Sequence, residues 1–172
     1  PRAGLPCGVV AVTDDAREML GTTGDFARDL KERAYFGGTY NAGVLVTAVG
    51  IAVLEYLKSN QHLYEQIDQL GEMVRTGIGG VIEELGVEAA VIGEGSIWGF
   101  QFAPAPIRSV RDIPPGNGRL RSLLQAYLLA EGVFVSPSFG VLSMAHNSDD
   151  VQRIVTAHHN ALAAMKADAV IA

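Results

Sequence analysis

A glycine pair followed by a threonine is the first feature of this sequence that could bind a charged ligand. The segment 37–41 reads Gly-Gly-Thr-Tyr-Asn and leads directly into an apolar stretch that predicts a helix. Two glycines let the backbone approach a ligand closely. Thr39 adds a hydroxyl and an amide, and a helix N-terminus presents unpaired N–H groups and positive dipole charge. The segment therefore predicts an anion site, with a plain loop capped by Asn41 as the alternative.

The histidines and the segment 136–140 offer fewer possibilities. His158 lies on an apolar stripe, which favours a core or half-buried position. The adjacent His159 would point about 100° away from it on a helix, so the two cannot share a metal. His146 follows a predicted strand and is a possible site residue. Ser-Pro-Ser-Phe-Gly at 136–140 fits either a turn or a loop that lines a substrate pocket. With one cysteine and no His-x-His or HExxH pattern, the sequence predicts no metal site.

The glycine-rich segment 93–99 is similar to a nucleotide-binding fingerprint but differs from it in two ways. Its spacing is one residue too long, and it opens a predicted strand where the fingerprint opens a helix. Ser96 also lacks the glycines that a nucleophile elbow carries two residues before and after the serine. We therefore predict a hairpin turn at 93–95. The sequence contains no self-contained catalytic motif.

The elements that must position these residues change character near residue 60. Before it, the apolar run 8–12 predicts a buried strand, a short helix follows to Leu20, and residues 41–57 predict a helix that is apolar on all sides and therefore buried. The later elements are an amphipathic helix from 59–60 to Leu85, strands at 87–92 and 96–102, a helix at 119–131, short strands at 133–135 and 141–144, and a last helix capped by 147–150. This order predicts a small α+β unit.

Composition limits the partners of the chain. Its 172 residues are 48% hydrophobic and 19% charged with a net charge of −6, so we expect a folded core and no nucleic-acid partner. No apolar run reaches about 18 residues, which predicts no membrane span. The mean hydropathy of +0.21 is high for a chain that stands alone and suggests burial against another domain or subunit. The single Cys7 and the lack of a signal peptide predict a cytoplasmic location.

Taken in order, the motifs resemble those of class III pyridoxal-phosphate (PLP) aminotransferases. They are Gly-Leu-Pro at 4–6, Gly-Gly-Thr-Tyr-Asn-Ala at 37–42, Gly-Ser-Ile-Trp-Gly at 95–99, Glu-Gly-Val-Phe at 131–134, Ser-Pro-Ser at 136–138 and Leu-Ser-Met-Ala-His at 142–146. The series is most similar to the branch that holds glutamate-1-semialdehyde aminomutase and the transaminases of β-amino acids. The resemblance spans essentially all of the chain.

The resemblance implies an α/β protein of fold type I and a C-terminal portion of it. Residues 1–40 would end the large PLP-binding domain, 41–60 would form a bridging helix, and 61–172 would form the small α+β domain. The chain opens without Met and reads as mid-protein sequence, so we expect an upstream segment. The resemblance places the catalytic lysine, which would carry PLP, just before Pro1. No catalytic residue is therefore assigned within this segment.

The same resemblance implies the remaining site residues and partners. Gly38 and Thr39 would bind the phosphate of PLP across the interface of a homodimer, with two shared sites. Ser138 would lie near the entrance for a small-molecule amino acid and a keto acid. The arginines at 108, 111, 119 and 121 are interpreted as solvated loop and helix charges.

Three functions stay open at this point. The first is transfer of an amino group between an amino acid, β- or ω-amino among them, and a keto acid or aldehyde. The second is intramolecular amino transfer of the aminomutase type, and the third is a non-catalytic α+β interaction module. The segment after Ser138 reads Phe-Gly-Val and carries neither the Glu of the aminomutase pattern nor the Arg of some β-amino-acid transaminases. Ala-Gly-Val at 42–44 also replaces the small residue followed by Asn-Pro that is usual in the family.

Overall fold

The computed structural model describes residues 5, 8–34, 38, 43–137 and 139–172. The chain divides into two compact units, Pro1–Gln61 and His62–Ala172. The described elements of the N-terminal unit are α1 (Asp14–Leu20), α2 (Phe26–Glu32) and α3 (Val44–Ser59). The C-terminal unit contains α4 (His62–Leu85), β1 (Ala90–Glu94), β2 (Ile97–Gln101), α5 (Asn117–Ala130), β3 (Gly140–Val141) and α6 (Ser148–Ala167). None of the described helices combines the length and the apolar character that a bilayer crossing requires.

Helix α4 is the central element of the C-terminal unit and contacts α6, β1 and β2. Leu70, Val74, Ile78 and Val81 recur at spacings of three and four, and all four are buried. Gly86 follows the helix with a φ of +63° and ends it, and the next amide, of Val87, donates to the carbonyl of Ile82. The amphipathic helix predicted from the sequence is therefore confirmed, with its end at Leu85.

The sheet has three antiparallel strands in the order β1-β2-β3. Glu94 pairs with Ile97, so the hairpin turn consists of Gly95 and Ser96, and Gly95 has a φ of +55°. The predicted hairpin is confirmed, with its turn two residues later than the predicted start. A side chain at Gly71 of α4 would lie 1.8 Å from the carbonyl oxygen of Gly95, so the turn and the helix are in close contact.

Helix α6 completes the core against α4 and α5. Its N-cap is Asn147, which accepts hydrogen bonds from the amides of Asp149 and Asp150, and the Asp150 carboxylate accepts one from the Asn147 amide. From this start the helix buries Ile154, His158, Leu162 and Met165. The predicted last helix and its cap are confirmed.

Three predicted strands differ from the structure. Residues 8–12 were predicted as a buried strand but are irregular and exposed. Residues 133–135 are also irregular, and the carbonyl of Val135 accepts a hydrogen bond from the Gln125 side chain at 2.7 Å. A side chain thus takes the bond that a neighbouring strand would otherwise supply. The strand predicted at 141–144 shortens to Gly140–Val141.

Helix α3 also departs from its predicted environment. It was predicted to be buried because it is apolar on all sides, but none of its residues is buried in the structure. Val44 is 85% exposed and Leu45 is 68% exposed. The assignment of residues 1–40, 41–60 and 61–172 to a large domain, a bridge and a small domain stays a prediction.

Candidate functional site

The predicted site residues lie mostly outside the part of the chain that the structure describes. Thr39 and Ser138 fall outside the described residues, and the expected catalytic lysine lies outside the sequence. Gly38 is described and is exposed. The roles of Gly38, Thr39 and Ser138 therefore stay predictions, although the nearby residues Ser136 and Phe139 line a cleft.

That cleft lies in the C-terminal unit, beside the segment 132–142, and has a volume of about 430 Å³. Trp98, Leu142 and Ile154 are buried apolar residues of its lining, and Phe134 and Phe139 contribute exposed aromatic rings. Its polar side chains are Ser136, His146, Asp150 and Arg153. A cleft with apolar walls and a few polar groups is the usual form of a small-molecule site.

His146 has a defined orientation in this cleft. The backbone amide of Ser143 donates to its Nδ1 at 3.0 Å, so Nδ1 is an acceptor, and in the neutral ring the proton is on Nε2. The Ser143 hydroxyl also lies 3.0 Å from Nδ1. This pair belongs to one local turn, because the His146 amide donates to the Ser143 carbonyl. The described contacts provide no acidic partner for the ring, so the pair is not arranged as a catalytic triad.

Asp150 and Arg153 lie in the first two turns of α6 and give the cleft its charges. The Asp150 carboxylate is engaged in the helix cap, which fixes its position. Arg153 is exposed and forms no ion pair with any acidic side chain in the described ranges. An unpaired guanidinium can bind a carboxylate or phosphate through two parallel hydrogen bonds. Arg153 could not be singled out from the sequence, because an arginine one turn after an aspartate resembles a solvated helix charge.

His158 and Arg121 each bury a nitrogen atom in this unit. His158 is fully buried, and burial lowers its pKa from 6.5 to about 4, so the predicted core position is confirmed. Arg121 was interpreted as a solvated charge, but its Nε atom is buried and has no hydrogen-bond partner among the described residues. The interpretation was wrong for that atom, because this side chain of α5 lines a small cavity together with Trp98 and Phe100.

A second cleft, of about 260 Å³, lies in the N-terminal unit near α1 and α2. Its acidic residue is Asp29, which accepts hydrogen bonds from the hydroxyls of Thr22 and Thr23 and from the Thr23 amide. These bonds lower the pKa of Asp29. The carboxylate is therefore used to hold the turn before α2. Across the described residues, no group of three or more His, Cys, Asp or Glu side chains could hold a metal ion.

Several curated proteins that are similar to this chain share one name. The chain is 32% identical to a glutamate-1-semialdehyde 2,1-aminomutase of Sorangium cellulosum over 133 residues, which are 76% of this chain and 30% of that protein. It is 27% identical to the same-named protein of Methanobrevibacter smithii over 162 residues, 92% of this chain and 36% of that one. The chain thus spans about a third of the length of the curated relatives it matches. No family model matches the sequence.

The chain is also similar in fold to solved structures of transaminases. An omega-transaminase from Sphaerobacter thermophilus matches with a TM-score of 0.78 and 25% identity over 94% of this chain and 36% of its own. A beta-phenylalanine aminotransferase from Variovorax paradoxus matches with a TM-score of 0.68 and 30% identity over 80% of this chain and 32% of its own.

Proposed function

Because the chain belongs to the class III pyridoxal-phosphate aminotransferases of fold type I, as its motifs predicted, we propose that it is the C-terminal portion of a PLP-dependent aminotransferase. The enzyme would move an amino group between an amino acid, β- or ω-amino among them, and a keto acid or aldehyde. The observation that carries this proposal is the match to an omega-transaminase over 94% of the chain. The names of the relatives are all names of enzymes, which argues against a non-catalytic module.

PLP supplies an electron sink to the substrate carbon that carries the amino group. Within this chain, Gly38 and Thr39 are the residues proposed to hold its phosphate. Gly38 is exposed and has no Cβ, so its backbone is accessible to a phosphate oxygen. The helix α3 begins five residues after Thr39, and the positive end of its dipole favours an anion on that side. The lysine that anchors PLP is proposed to lie upstream of Pro1.

The cleft beside the segment 132–142 is proposed to form the substrate side of the small domain. Phe139, the neighbour of Ser138, lies in its wall, and Arg153 contributes a guanidinium free of described ion pairs. These residues would bind and orient the substrate and exclude water, while the proton transfer would depend on the upstream lysine. Substrate contact by Ser138 is part of the proposal.

The protein is also proposed to be a cytoplasmic homodimer in which each subunit contributes Thr39 to a shared site. The exposed apolar residues of α3 support this assembly, because such residues are commonly covered by another subunit or domain. The single cysteine agrees with a reducing compartment.

A second candidate is intramolecular amino transfer, and the names of the curated relatives favour it. The two reactions separate in a single half-reaction. A transaminase converts its amino donor to a stoichiometric amount of keto acid or aldehyde and stops until an acceptor is added. An aminomutase exchanges the amino group within one carbon skeleton and needs no second substrate.

The proposal is tested with the full-length protein that contains this chain. Purified protein should show visible absorbance from bound PLP, and the absorbance should change when a β- or ω-amino acid is added, with release of the keto product. Substitution of the upstream lysine by alanine should abolish turnover. Purified protein that binds no PLP, even after PLP is supplied, would contradict the proposal.

A further inference from the structure

Three buried nitrogen atoms from different elements belong to side chains that line one small cavity of the C-terminal unit. They are Nε1 of Trp98 on β2, Nε of Arg121 on α5 and Nε2 of His158 on α6, and none has a hydrogen-bond partner among the described residues. All three side chains line the same cavity, which has a volume of about 20 Å³. Trp98 is 2% exposed and His158 is fully buried.

The hydrogen-bonding roles of the three atoms are fixed by their other contacts. Nδ1 of His158 lies 2.8 Å from the carbonyl oxygen of Ile154, which can only accept, so Nδ1 carries the proton. Nε2 of His158 is therefore a bare lone pair and an acceptor. The indole N–H of Trp98 and the Nε–H of Arg121 can only donate. These three side chains thus present two donors and one acceptor to the cavity.

Leaving such groups unsatisfied in the interior is costly, so an occupant with complementary groups is expected. We propose that one buried water molecule occupies this cavity, accepts hydrogen bonds from Trp98 and Arg121, and donates one to His158. A volume of about 20 Å³ holds one water molecule, and buried waters typically form about three hydrogen bonds.

Ions fit the cavity less well than water does. Two N–H donors oppose a cation. The lone pair of His158 opposes an anion, and the pKa of this histidine, lowered to about 4 by burial, keeps the ring neutral at neutral pH. Water is the small ligand that can accept from two groups and donate to a third at once.

The position of the cavity gives this water a structural role next to the candidate substrate cleft. Val135, Pro137, Phe139 and Gly140 line the cavity from the segment that also borders the cleft. A Cβ on Gly140 would lie 2.2 Å from the Trp98 ring, so this backbone covers the indole closely. The water would connect β2, α5 and α6 next to these lining residues. This inference does not depend on the proposed function.

A crystal structure of the full-length protein at about 1.8 Å resolution or better tests the proposal. We expect one solvent peak within about 2.7–3.2 Å of His158 Nε2 and of at least one of the two donors. A protein atom that occupies the cavity, a peak that refines as an ion heavier than water, or a cavity without density would each overturn the proposal. This test uses the unmodified protein, so its result does not depend on whether a variant folds.

Matched histidine variants extend the test to the hydrogen-bonding roles. His158→Phe keeps a ring of similar size but removes the acceptor, and we expect its crystal structure to have lost the water. His159→Phe changes the neighbouring, partly exposed histidine on the same helix and should retain it. In solution, the indole N–H of Trp98, identified by its loss in Trp98→Phe, should show a nuclear Overhauser effect to a long-lived water. Absence of that effect in the unmodified protein would also overturn the proposal.

Discussion

The two units of this chain use similar apolar content in different ways. In the C-terminal unit, α4 separates its apolar and charged residues, and the apolar side packs with α5, α6 and the sheet into one core. In the N-terminal unit, α1, α2 and α3 contain no buried residue among them. Helix α3 is nevertheless the more apolar helix by sequence, since its 16 residues carry two charged side chains, Glu55 and Lys58.

Apolar content thus predicts burial only when a partner surface is available. In the C-terminal unit, α4, α5, α6 and the sheet supply one another with such surfaces and form one core. In the N-terminal unit, Val9, Val10 and Val44 are each more than 70% exposed to solvent. The proposed assignment of this unit to a larger PLP-binding domain in a homodimer would supply the cover. Four pairs of variants test this account: two pairs compare the two units, and two compare positions within the C-terminal unit.

The largest expected difference is between leucines of the two units. Leu162 of α6 is fully buried, so Leu162→Ala should lower the free energy of unfolding by about 2–5 kcal/mol through lost burial and the cavity left behind. Leu45 of α3 is 68% exposed, so Leu45→Ala should change it by less than about 0.5 kcal/mol. Urea denaturation of this chain, followed by far-ultraviolet circular dichroism, measures both. Equal losses would contradict the contrast.

The buried histidine gives the C-terminal unit a pH dependence. The pKa of His158 is about 4 in the folded protein and about 6.5 in the unfolded chain, so the unfolded state binds more protons between these values. The stabilisation is complete above pH 6.5 and should be lost as the pH falls towards 4, by about 3 kcal/mol at most. Denaturation midpoints measured across this range should fall with pH. His158→Gln should flatten that part of the profile, whereas His159→Gln should leave it in place.

Two glycines of α4 separate tight packing from helix propensity. Gly71→Ala would place a Cβ 1.8 Å from the Gly95 carbonyl oxygen and should cost about 1–3 kcal/mol. Gly80→Ala meets nothing within 4 Å and should stabilise the helix by about 0.5–1 kcal/mol. Thermal denaturation of the two variants should therefore shift in opposite directions. A gain in stability for Gly71→Ala would mean that the hairpin does not pack on α4 in this way.

The smallest expected difference is between two helix caps. Asn147 caps α6 through side-chain hydrogen bonds to two amides, so Asn147→Ala should cost about 1 kcal/mol. Thr13 precedes α1 but its side chain makes no capping bond, and Thr13→Ala should change stability by less than about 0.5 kcal/mol. Chemical denaturation of the two variants measures both changes. A larger loss at Thr13 than at Asn147 would reverse the contrast.

Local signals explain which elements could be predicted from the sequence. Gly86 and Gly132, both in the left-handed conformation, follow the ends of α4 and α5, and Asn147 caps the start of α6. The residues at these helix ends therefore mark the boundaries in the sequence. The strand predicted at 8–12 fails for the opposite reason. Its β-branched residues are suitable for a strand, but the described residues of the N-terminal unit include no strand that could pair with it.

The candidate site was predictable only where the motif lies within one short segment. Segment 136–140 was recognised as a turn or a pocket loop, and its flanking residues do line the cleft. Arg153 was missed because it enters the cleft only once the first turns of α6 pack beside the segment 132–142. The burial of Arg121 Nε was missed for the same reason, since it depends on contacts between α5 and residues far along the chain. The role of Thr39 stays a prediction.

Titration of PLP into the full-length apoprotein tests whether the protein binds PLP and whether Thr39 contributes to that binding. The wild-type protein should bind PLP tightly, and Thr39→Ala should raise the dissociation constant about 10- to 100-fold, because a hydrogen bond to a charged group contributes about 1.5–3 kcal/mol. Thr39→Ser should restore binding, and Thr156→Ala, at an exposed threonine of α6, should leave it unchanged. A wild-type protein that does not bind PLP, or a Thr39→Ala variant that binds it as tightly as wild type, would contradict the account.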